Sequence, residues 1–81
     1  MKEEELKRLE KGRELLYDIR VYKNKVSDLI HAYNKLKNDE NYVVFINNQE
    51  IYKDFALEAL AKQRSLCENK IEELQKQFDE L

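Results

Sequence analysis

Asn38-Asp39-Glu40-Asn41-Tyr42-Val43-Val44-Phe45-Ile46-Asn47-Asn48-Gln49 is the only interruption between two long runs of helix-forming residues. Polar clusters at Asn38–Asn41 and Asn47–Gln49 bracket five apolar residues whose β-branched and aromatic content favours a strand. Asn47 and Glu50 stand three apart, the spacing of a capping pair: the Asn side chain accepts from a first-turn amide and the Glu reaches back. A second helix is therefore expected to begin near residue 48 and to occupy about 49–80. The apolar five admit a short strand, or a helical turn or two begun by Asp39, with Tyr42, Phe45 and Ile46 on one face. A lone strand would leave its ladder unpaired, so a short helix or extended turn is expected at 40–47.

Upstream, Leu15, Ile19, Tyr22, Val26, Leu29, Tyr33 and Leu36 alternate spacings of four and three, an unbroken a/d seam. It predicts a first helix over about 3–37 that packs along its length on another helix. Leu9, Leu16 and Ile30 lie one position further round and widen the stripe beyond what one neighbour covers. Gly12 falls on the seam, where it costs roughly 1 kcal/mol relative to alanine. Downstream, Leu57, Leu60, Arg64, Cys67, Ile71, Leu74, Phe78 and Leu81 resume the threes and fours. A second set, Tyr52, Phe55, Ala59 and Leu66, makes the front of that helix apolar on two sides, which calls for two neighbours.

A turn of about ten residues folds one arm back on the other. The expected fold is all-α: an antiparallel helical hairpin forming a single domain over 1–81. Pairing Leu29 with Leu57, Val26 with Leu60, Ile19 with Cys67 and Leu15 with Ile71 aligns both seams. It also sets Tyr22 opposite Arg64, where a phenol or cation-π contact near Asp18 is expected. One continuous helix in an extended parallel coiled coil is the alternative, and the double polar cluster opposes it.

At 81 residues the core is small, which favours self-association. The unpaired stripes, Leu9, Leu16, Ile30, Tyr52, Ala59 and Leu66, are the expected oligomer interface, two hairpins making a homodimeric four-helix bundle. Residues 1–37 carry ten Lys/Arg against seven Asp/Glu, and 38–81 five against ten, so the arms differ in sign within a net charge of −2. That asymmetry favours packing arm on arm. It argues against a broadly basic nucleic-acid surface, because Arg13, Arg20, Lys23 and Lys25 are interleaved with Glu14, Asp18 and Asp28.

No apolar run exceeds five residues and the first residues are charged, so neither a signal peptide nor a membrane contact is expected. A lone cysteine fits a reducing, cytoplasmic setting. His31 stands three after Asp28, the spacing of bundle metal ligands, but both point away from the seam and no metal is expected. Cys67 lies on the seam with no histidine opposite, and there is no Gly-rich phosphate loop or Cys-x-x-Cys. No catalytic residue and no cofactor are therefore expected. The chain reads as a small non-enzymatic interaction module of adaptor, chaperone-like or inhibitor type, meeting a protein partner through Tyr42, Val44, Phe45, Tyr52 and Phe55 near the turn. The alternatives are an oligomeric binder of an anionic metabolite or nucleotide, using Arg20, Tyr22, Lys53 and Arg64, and a nucleic-acid-binding regulator.

Overall fold

The computed structural model describes residues 2–81. Two helices, α1 (Glu3–Asn38) and α2 (Lys53–Asp79), flank two short strands, β1 (Val44–Ile46) and β2 (Gln49–Ile51). The helices lie against each other in a rod measuring 59 × 21 × 15 Å, with the strands at one end. The fold is the expected all-α helical hairpin, two long helices with a short two-stranded ribbon at the turn between them.

Charge suits both helix ends of α1. Glu3, Glu4 and Glu5 occupy its first turn and Lys35 and Lys37 its last, each facing the favourable pole of the backbone dipole. Asp39 stops it. Its own amide still donates to the Lys35 carbonyl at 3.1 Å, but its backbone is extended, and its side chain accepts the Asn41 amide at 3.0 Å. The Asp39 carbonyl accepts the Tyr42 amide at 3.2 Å and the Lys53 ammonium at 3.1 Å. The first polar cluster thus ends α1 close to the expected residue 37, and Asp39 does not begin the helical turn that was one reading of the residues after it.

In place of a short helix or extended turn at 40–47, Val44–Ile46 form a strand, and its partner is Gln49–Ile51 in antiparallel register: Val44 with Ile51, Phe45 with Glu50, Ile46 with Gln49. Asn47 and Asn48 make the two-residue turn with φ of 50° and 66°. Positive φ at both central residues marks a type I′ turn, whose twist matches paired strands, and asparagine tolerates that region better than most side chains. Asn47 is therefore no helix cap and Glu50 lies in a strand. Strand pairing holds the chain extended through Ile51, so α2 begins only at Lys53, after Tyr52.

That late start resets the helix register. With α1 ending at Asn38 and α2 beginning at Lys53, the seams slide by about one turn relative to the sequence pairing. Continued by one turn, the pairing of Leu15 with Ile71 would set Gly12 across from Leu74, but Gly12 lies against Phe78 and Leu81. Leu15 and Ile19 bury together with Leu74, and Tyr22, Ile71 and Phe78 pack around them. The remaining buried apolar residues, Leu36, Ala56 and Cys67, continue the seam toward the strands. The Tyr22–Arg64 contact does not form: Arg64 Nε pairs with Glu68 at 3.4 Å, and the cation over the Tyr22 ring is Lys25 at 4.9 Å.

Candidate interaction surface

The strand end positions its residues by alternation. Val44 and Ile51, directly paired, are half-buried and line a shallow recess with Leu36, the most deeply buried side chain of the molecule. Phe45, one residue on, points to the other face and is 59% exposed. Val43 and Ile46 are also exposed, as are Tyr42 on the approach to β1 and Tyr52 at 72% on the exit from β2. Phe55, in the first turn of α2, is exposed as well. Of the five residues expected to meet a partner, Tyr42, Phe45, Tyr52 and Phe55 are thus accessible and Val44 serves partly as the tip's own floor. Sequence reasoning missed Val43 and Ile46. For Val43 the signal was available, since alternation in a strand puts it on the same face as Phe45; Ile46 shares the face of Val44 and is exposed because it lies at the turn, beyond the cover of Leu36.

Basic side chains sit among these rings. Lys35 Nζ lies 5.5 Å from the centre of the Tyr42 ring, and Lys37 Nζ lies 6.0 Å from that of Tyr33. Lys53 is tied to the Asp39 carbonyl, fixing the start of α2 against the end of α1.

The expected oligomer interface is distributed along the rod. Leu9, Leu16, Ala59 and Leu66 are exposed, Ile30 is half-buried, and Tyr52 belongs to the tip. The four residues assigned to an anionic ligand are not brought together within one protomer. Tyr22 lines a shallow depression with Leu66 and Cys67, Arg64 lines another with Tyr33 and Leu60, Lys53 lies beneath the strands, and Arg20 is exposed on α1. His31 is exposed, and no group of three or more His, Cys, Asp or Glu side chains among the described residues is placed to hold a metal ion. No helix among them is long and apolar enough to cross a membrane.

Compared with known proteins, the chain matches no family model, no curated protein and no solved structure.

Proposed function

We propose that this protein is a non-enzymatic interaction module, of adaptor, chaperone-like or inhibitor type, that assembles with itself along its helices and meets a protein partner at its strand end. The accessibility of Tyr42, Phe45, Tyr52 and Phe55 carries the reading. Tyrosine is the type of side chain that dominates binding energy at interfaces, with a large rigid ring and a polar end. Apolar patches of this kind on a soluble protein mark surfaces that something else covers.

The small core supports the self-association. Among the described residues six apolar side chains are buried in one protomer, while Leu9, Leu16 and Leu66 each stay at least half exposed along the helices. A core this small stabilises a chain only marginally, and a second hairpin laid on the wet stripes would enlarge it into a four-helix bundle.

Light scattering on wild type and on a Leu16→Glu, Leu66→Glu double variant tests the assembly. The expected outcome is a wild-type mass of two or more chains and a folded variant of lower mass. A wild type that stays a single chain across the accessible concentration range sinks the bundle.

A further inference from the structure

In a hairpin closed by a two-residue turn, the residues flanking the turn exchange both amide–carbonyl bonds, and bonded and open pairs then alternate. Ile46–Gln49 and Val44–Ile51 are the bonded pairs, and Phe45–Glu50 is the open one. The N–H and C=O of Phe45 therefore point out of the edge of the sheet, and no turn or loop bond takes them up. The same parity sends those of Glu50 out of the opposite edge.

Only an extended strand presents an N–H and a C=O side by side at the spacing such an edge requires, about 4.8 Å away. The two edges differ in what they would accept. The β2 edge is guarded by the Glu50 carboxylate, and two copies joined there would set like charges opposite each other. The β1 edge has no guard. From Asn41 to Gln49 the chain holds no charge, no proline and no glycine, and its centre is β-branched and aromatic. This is the composition of segments that pair with their own kind.

We propose that β1 pairs with β1 of a second copy, antiparallel about a two-fold axis at Phe45, so that two tips share a four-stranded sheet. Each Phe45 N–H donates to the Phe45 carbonyl of the other copy. Val44 of one chain then stands beside Ile46 of the other, a β-branched pair on the face that already carries Ile51, and the two Phe45 rings lie together on the opposite face. A closed two-fold pair uses up the open edge of both chains, which a head-to-tail arrangement would not do. The proposal rests on the strand end being an interaction surface and names a second copy as the occupant of its open edge; Tyr52 and Phe55 lie outside the paired strands.

The test is a disulfide across the axis. Paired Cα atoms in a bonded antiparallel pair are about 5.5 Å apart, within a disulfide's reach of about 4.4–6.8 Å. In a Cys67→Ala background, Phe45→Cys is expected to cross-link most of the protein on mild oxidation, while Glu50→Cys cross-links little. Exposure of the Phe45 side chain makes the substitution compatible with the fold, and an unchanged helical circular dichroism spectrum checks that. Wild type supplies a second reading free of substitutions: the Phe45 amide should exchange with solvent at least tenfold more slowly in concentrated than in dilute protein. Equal cross-linking at both positions, or a Phe45 amide that exchanges at the free rate at every concentration, overturns the proposal. A slow Phe45 amide without the Phe45→Cys cross-link would assign the edge to some other strand and also overturns it. Wild-type assembly along the helices without this cross-link removes the edge pairing alone; the cross-link without helix-face assembly removes the bundle alone.

Discussion

The waist of the rod around Leu15, Ile19 and Leu74 and its tip from Tyr42 to Phe55 contain similar apolar side chains and place them in opposite ways. At the waist two heptad seams face each other, so each buried residue finds its partner in the same chain. At the tip two three-residue strands offer only one covered face, so Val44 and Ile51 turn in over Leu36 while Val43 and Phe45 turn out. The difference separates two roles. The buried core resides in the helices, and the apolar side chains left accessible gather where the backbone changes from period 3.6 to period 2.

The largest expected effect lies at the waist. Leu15→Ala removes a side chain only 2% exposed from the centre of the cluster and should cost about 3 kcal/mol. Thermal unfolding would register it as a fall of roughly 4–8 °C per kcal/mol. Phe45→Ala, measured the same way at a concentration where the chain is least associated, should stay within about 0.5 kcal/mol. Comparable losses at the two positions would erase the distinction between waist and tip.

Next comes the turn. Asn48→Val places a β-branched residue at φ of 66°, a strain of about 1–2 kcal/mol. The loss should be local, with faster amide exchange in the strands and helical melting little changed. If the helices melt earlier by the full amount, the tip is part of the cooperative core and the comparison must be redrawn.

Gly12→Ala should act in the other direction. A Cβ there would lie 3.5 Å from Leu81 Cδ1 and 3.6 Å from Phe78 Cε2, ordinary contact distances, and the backbone is not in the left-handed region. Helix propensity then favours alanine by up to about 1 kcal/mol, read as a higher urea midpoint. Destabilisation by this change would mean that the two helices approach more closely at Gly12 than those contacts allow.

The smallest effect is assigned to Arg64→Ala. Its ion pair with Glu68 joins side chains 46% and 51% exposed, one turn apart on the same helix, and such pairs contribute about 0.5 kcal/mol or less. A loss of about 2 kcal/mol, the scale of a desolvated cation-π contact, would restore the sequence register with Arg64 facing Tyr22.

Much of the waist is legible in the residues. The alternation of threes and fours from Leu15 to Leu36 identifies the buried face of α1, and Leu15, Ile19 and Leu36 are indeed among the buried residues. Arg64 marks where that reading goes wrong, because a seam position is buried only if the register places a partner over it. At the tip, Tyr42, Phe45, Tyr52 and Phe55 stand out in the residues as a group near the turn, while the strand pairing that holds the backbone there does not. Asn47-Asn48 resembles a helix cap by its spacing to Glu50 and a hairpin turn by its tolerance of positive φ. Nothing local separates the two.

The sequence by itself determined the two helices, the faces they turn to each other, and the polar break between them, since each follows from periodicity and composition within about a dozen neighbouring residues. Tertiary structure decided the pairing of Val44–Ile46 with Gln49–Ile51, and through it the start of α2 at Lys53 and the slide of one helix along the other. The physical reason is that a strand is stable only with a partner, so whether five apolar residues become one depends on a second segment. The register of two long helices in turn depends on where the connection between them lets each one end.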